Sequence, residues 1–188
     1  VSFPATVYDC DDKDMTFNVP VTVTDAGGNM AGCNATIMVV VGKALPSGWT
    51  GNDVGNSGFL GNDYCYDPRT NNGEFTITGG GMNAHSIYTD NVAFASQFIC
   101  DPNVSITAKI ESVDPNGYGG LMIRETTAAG AKQAAIFSNL TNILRHEVRY
   151  TTNGPKQTSA FYKPTPVWLR LHRQGDWIFT SYSNNGIS

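Results

Sequence analysis

The sequence has little charge, few histidines and no long apolar run. Asp, Glu, Lys and Arg make up only 15% of its 188 residues. The longest apolar stretch, Ile37 to Val41, is strand-sized and far short of the roughly 20 residues of a membrane-spanning helix. No membrane insertion is therefore expected. Twelve basic residues against 16 acidic ones give a net charge of −4, with no basic stripe, so nucleic acid is not an expected partner. The three histidines, His85, His146 and His172, are scattered, and there is no C-x-x-C pair, which argues against a zinc site. No window of helical length carries a 3.6-residue apolar period. Neither G-x-S-x-G, H-E-x-x-H nor a phosphate loop occurs. No cofactor is expected.

What the sequence has in quantity is glycine, threonine and asparagine, the composition of short strands joined by tight turns. "VTVTDAGGNMAGCNATIMVVV" (21–41) reads as a hairpin: Val21 and Val23 alternate with Thr22 and Thr24, Asp25 to Asn29 supply turn formers, and the return strand is expected over Ala35 to Val41. Residues 42–48, "GKALPSG", read as a linker.

From residue 49 to 188 strand signals recur about every ten residues, the rhythm of an antiparallel sandwich. They are "GEFTIT" (73–78), "VSITAKIESV" (104–113), "GGLMIRET" (119–126), "KQAAIFS" (132–138), "ILRHEVRYT" (143–151), "QTSAFYK" (157–163), "VWLRLHRQ" (167–174) and "WIFTSYS" (177–183). In the second, Val104, Ile106, Ala108 and Ile110 face one way and Ser105, Thr107, Lys109 and Glu111 the other, a half-buried strand with one wet face. The chain opens on Val1 and closes on "SNNGIS", and is read as a piece of a longer processed protein.

Four well-spaced cysteines, Cys10, Cys33, Cys65 and Cys100, in a turn-rich β protein point to an oxidising compartment and two disulfides. Three connectivities are open, and proximity in sequence favours Cys10–Cys33 with Cys65–Cys100. "DCDDKD" brings Asp9, Asp11, Asp12 and Asp14 into a tight stretch, a weak calcium candidate beside the plainer reading as a solvated turn, and Asp53 in "GNDVGN" is another. The sequons at Asn34, Asn103 and Asn139 are no more numerous than chance gives; Asn103 and Asn139 fall in expected turns and Asn34 at an expected strand start.

Two resemblances follow from these motifs. "VYDC" (7–10), "VPVTVTDAGGNMAGC" (19–33) and "NATIMVVV" (34–41) resemble the C-terminal half of a hyaline-repeat Ig-like module, a type found in tandem in large secreted or surface proteins. That implies a second alternative for Cys10, a partner cysteine outside this sequence. "LPSGWTGNDVG" (45–55), "GEFTITGGG" (73–81), "GGLMIRETTAAGAKQA" (119–134), "EVRYTTNG" (147–154) and "VWLRLHRQGDWIFTSYSNNG" (167–186) resemble a concanavalin-A-like sandwich family of unknown function in secreted multidomain proteins. Cys65 and Cys100 are not part of its usual motif, and members continue past the final turn into further strands. The implied fold is all-β: a partial Ig-like β-sandwich over 1–41, then a concanavalin-A-like (jelly-roll) antiparallel sandwich over 49–188.

Sandwiches of this shape that hydrolyse glucans carry an E-x-D-x-x-E run, which is absent here; an enzyme would need carboxylates brought together from distant strands, such as Glu125 with Glu147. Arg124, Arg149 and Arg170, with Tyr150 and Trp168, are candidates for a sugar-binding row, against the plainer reading as a cross-strand charge ladder. Trp49, Trp168 and Trp177 are expected in core or rim packing. The leading expectation is a non-enzymatic structural or adhesive segment of a large secreted or cell-surface protein, partnered by neighbouring modules or subunits. The alternative is a carbohydrate-binding accessory module of a polysaccharide-active protein, with glycans as partners.

Overall fold

The computed structural model describes residues 15–24, 26–38, 45–55, 62–68, 73–81, 87–114, 117–139 and 141–187. These form thirteen strands: β1 (Thr16–Thr24), β2 (Met30–Met38), β3 (Trp49–Val54), β4 (Asp63–Asp67), β5 (Glu74–Thr78), β6 (Val92–Gln97), β7 (Asn103–Ile110), β8 (Tyr118–Arg124), β9 (Gln133–Asn139), β10 (Ile143–Arg149), β11 (Gln157–Tyr162), β12 (Val167–Gln174) and β13 (Trp177–Ser183). Every pairing is antiparallel, and no helix occurs among the described residues.

β1 and β2 form the expected hairpin, with Val21 opposite Cys33. The return strand begins earlier than the apolar run suggests, at Met30, because Gly28 adopts φ +85° and turns the chain at once. Residues 39–41 lie outside the described set, as do 42–44 of the expected linker; its remainder closes a turn in which Trp49 N donates to Pro46 O at 3.0 Å.

Two larger sheets make the core. One has the order β11-β10-β9-β8 and the other β13-β12-β7. Leu121, Ile136 and Leu144 from the first meet Val167, Leu169 and Leu171 from the second, with Ile106, Ala108, Ile110, Ile123 and Ile178 around them. Complete burial of each large aliphatic side chain contributes about 1.5–3 kcal/mol, so this seam between two sheets is the chief source of cohesion. β12 lies at the centre of its sheet, and its burial alternates Val167, Leu169, Leu171 inward and Arg170 outward. β7 alternates in the same way, as its sequence pattern requires.

The four-stranded sheet is buried on its second face as well. Ala135, Gln133, Glu147 and Arg149, all on the side away from the sandwich core, are buried. The segment before β6 covers them: Asp90 N donates to Ala129 O at 2.9 Å, and Lys156 N donates to Ile87 O at 2.8 Å.

Two small sheets, β3–β6 and β4–β5, complete the described structure. They are joined by Tyr64, whose ring lies against Gly51 and whose hydroxyl donates to Asn52 O at 2.7 Å. Phe75 on β5 meets the rings of Trp49 and Tyr66 at 5.0 and 4.8 Å, yet β5 remains exposed along its length. β3, β4 and β6 have no counterpart among the sequence-expected strands.

Neither expected disulfide pair forms. Cys33 and Cys100 are free and exposed, so both Cys10–Cys33 and Cys65–Cys100 are ruled out as pairs. Sequence proximity misleads here because Cys65, buried on β4, is itself disulfide-bonded, while the Cys100 thiol after β6 is exposed and free. Cys10 lies outside the described residues.

Candidate functional site

The five candidates for a sugar-binding row separate. Arg124 ends β8 and Arg149 ends β10, with Gln133 of β9 between them in one cross-strand row. Their alternation with Ile123 and Val148 puts them on the face away from the core, as a ligand-reading row would require, but that face is covered. Arg149 is 1% exposed and Asp90 2%. Arg149 donates from Nη1 to Asp90 Oδ2 at 2.7 Å and from Nη2 to Asp90 Oδ1 at 2.8 Å, a bidentate pair. Nη1 also donates to Ala131 O at 2.9 Å. Arg124 Nη2 lies 3.3 Å from Asp90 Oδ2 and donates to Ala128 O at 2.6 Å, while its Nε donates to Thr126 O at 2.6 Å. Lys156 Nζ stands between two carboxylates, 3.3 Å from Asp90 Oδ1 and 2.9 Å from Glu147 Oε2.

Three cations thus converge on one aspartate in a sealed interior. Burial pushes the Asp90 carboxyl up, but the hydrogen bond and charge of Arg149, with the charges of Lys156 and Arg124, outweigh it and hold the group below its ordinary value. Burial lowers the Arg124 guanidinium, with Asp90 opposing and Arg149 adding to the effect. Burial also lowers His146, on the core face of β10, against the opposing charge of Glu147. Glu125 and Glu147, the carboxylates considered for catalysis, occupy different surroundings: Glu125 is on the surface, 3.4 Å from Lys132, and Glu147 is inside with Lys156.

Trp168 and Arg170 stay together on the outer face of the β13-β12-β7 sheet. Register places Arg170 between Thr107 on β7 and Ser181 on β13, and Trp168 between Lys109 and Ser183. Arg170 Nε donates to Ser105 Oγ at 3.0 Å. A shallow depression there is lined by Thr107, Trp168, Arg170, Ser181, Ser183 and Gly186. Trp168 is half-buried, and Gly186 sits on its ring so closely that a Cβ there would come within 2.9 Å. The open aromatic faces are instead Trp177, 73% exposed, and Phe179, 52% exposed, further along the same side of β13. Trp177 is therefore neither core nor closed rim. Phe179 lies opposite His172, with ring centroids 6.3 Å apart. Tyr150, just past β10, is exposed and belongs to neither group.

Asn34 lies within β2 rather than at a strand start, exposed, and the hydroxyl of its sequon residue Thr36 donates to Asn18 Oδ1 at 3.2 Å. Asn103 is the exposed first residue of β7. Asn139 ends β9, and its Oδ1 accepts from Ile143 N and Thr141 Oγ1, both at 2.9 Å. Asp9, Asp11, Asp12 and Asp14 lie outside the described residues. Among those described, no three His, Cys, Asp or Glu side chains come together as a metal-holding group; Asp53 lies in β3 opposite Ala93.

Sequence reasoning missed Asp90 and Lys156, whose role depends on partners far along the chain. It also missed Trp177 and Phe179 as a pair, although the alternation of "WIFTSYS" places both on one face with Ser181 and Ser183. Comparison with protein-family models, curated proteins and solved structures finds no match to this chain.

Proposed function

We propose that the chain is a non-enzymatic adhesive segment of a large extracellular protein, an Ig-like unit followed by a concanavalin-A-like sandwich, held among neighbouring modules or subunits. In this reading the outer face of the β13-β12-β7 sheet is the contact surface. The observation that carries it is the exposure of Trp177 and Phe179 side by side on that face, since large aromatics left open on a sheet mark an interaction site. The interior carboxylates Asp90 and Glu147 support the non-enzymatic part, because each is neutralised by a buried cation rather than turned toward a groove.

A second reading, a carbohydrate-binding accessory module, is favoured by the placing of Arg170 among hydroxyls on the same face. Adhesion is tested with beads coated in the whole chain on matrix-protein and polysaccharide surfaces. The proposal expects attachment that falls when Trp177→Ala and Phe179→Ala are combined. Attachment indifferent to that double change, or no attachment to any surface by the folded chain, would refute it.

A further inference from the structure

Resting on the reading of this face as adhesive, we propose that its ligand is an acidic polysaccharide, with a uronate carboxylate held by Arg170 and sugar rings stacked on Phe179 and Trp177. Among the side chains that β12 and β13 present outward, Arg170 alone carries a permanent charge. The one cation of β7 on this face, Lys109, is already tied to Glu111 at 2.6 Å. Ser105 engages Arg170 only through Nε, which orients the guanidinium and leaves Nη1 and Nη2 without a hydrogen-bond partner among the described residues. Those two nitrogens form the fork that matches a carboxylate bidentately. Thr107 and Ser181 flank it in register and supply hydroxyls for sugar oxygens.

Spacing supports the same ligand. Phe179 and Trp177 lie one and two outward rows from Ser181, the partner of Arg170. Each row is about 7 Å from the next, two residues of strand rise, a sugar-sized step. A polymer running along β13 can therefore stack rings on the aromatics while one carboxylate reaches Arg170. A neutral polymer would leave that guanidinium unsatisfied on an otherwise complementary surface.

The test measures binding of the whole chain to uronate polymers (polygalacturonate, alginate, hyaluronate) and to their carboxyl-reduced counterparts. The acidic form of at least one should bind about tenfold or more tightly than its reduced form, the scale of a charge-assisted hydrogen-bonded pair. Arg170→Gln should abolish that preference, and Arg170→Lys should restore part of it. Binding should weaken as salt rises. Tyr150→Ala, on the other sheet, should leave binding unchanged. Equal binding of acidic and reduced forms, or an Arg170→Gln protein that keeps the preference, overturns the uronate assignment while bead attachment still judges the adhesive face. Absence of binding to every polymer, with the native melting temperature retained, also overturns it.

Discussion

Asp90 accepts both terminal nitrogens of Arg149, at 2.7 and 2.8 Å, across 59 residues of sequence. The pair fastens the segment ahead of β6 to the far end of β10. It turns what would be the wet face of the four-stranded sheet into a second buried layer. Lys156 and Arg124 reinforce it, and the carbonyls of Thr126, Ala128 and Ala131 accept further hydrogen bonds from the two guanidiniums. A buried charge is tolerable only when paired and hydrogen-bonded in this way.

Removing one partner should therefore be far more harmful than the loss of a surface ion pair. Asp90→Ala leaves the buried Arg149 and Arg124 without a carboxylate and Lys156 with Glu147 alone, and a loss of about 3–5 kcal/mol is expected. Arg149→Met should also destabilise, since it takes both short hydrogen bonds from Asp90 and leaves it Arg124 and Lys156 at 3.3 Å. Urea unfolding monitored by tryptophan fluorescence gives both values; a change below about 1 kcal/mol, the range of an exposed pair, would mean that the lock is not engaged in solution.

Two steps in stability are expected on acidification. His146 is held below its ordinary value near 6.5 by burial. The unfolded chain then binds more protons there than the folded one, so the contribution of His146 is complete above about 6.5 and is lost as pH falls below it. Asp90 is likewise depressed, so its contribution is complete above about 3.9 and drains as pH falls through the lower folded value. The urea midpoint should be level above pH 7, decline from about 6.5, and decline again below about 4. His146→Gln should remove the first step alone, and a midpoint unchanged between pH 7 and 5 would contradict its assignment.

The sequence made the sandwich core legible, and for a clear reason. β7, β12 and β13 each have one wet face, so their period of two shows directly in the residues, and β13 runs from Trp177 to Ser183 as its pattern predicts. β10 obeys the same alternation, but "ILRHEVR" cannot reveal that its charged side is roofed over, because the roof is a segment some 59 residues earlier. β3, "WTGNDV", and β4, "DYCYD", carry residues of poor strand propensity and draw their regularity from pairing and from Tyr64. Of the tryptophans expected in core or rim packing, Trp168 is half-buried with Gly186 against its ring, whereas Trp177 stands exposed.

Gly51 should resist substitution. An added Cβ would lie 2.5 Å from the Tyr64 ring, which is buried and fixed at its far end by the hydroxyl bond to Asn52 O. The ring can yield only by giving up that bond and opening the contact between β3 and β4. Gly51→Ala is expected to cost about 1–3 kcal/mol, as overpacking does. Gly51→Ala combined with Tyr64→Leu should be less than additive; strict additivity would show that the two sites do not touch.

The free thiols provide a direct check on the cysteine assignment. Cys33 and Cys100 are both exposed, one in β2 and one after β6. Exposure lets a maleimide reach each without unfolding, so native protein should label rapidly at both positions, and Cys33→Ser and Cys100→Ser should each remove one fast-labelling thiol. Because neither side chain staples the fold, each serine variant should keep its stability to within about 0.5 kcal/mol, the range of ordinary surface changes. A native disulfide at either position would reverse both outcomes: no labelling until reduction, and a loss of about 2–5 kcal/mol on substitution.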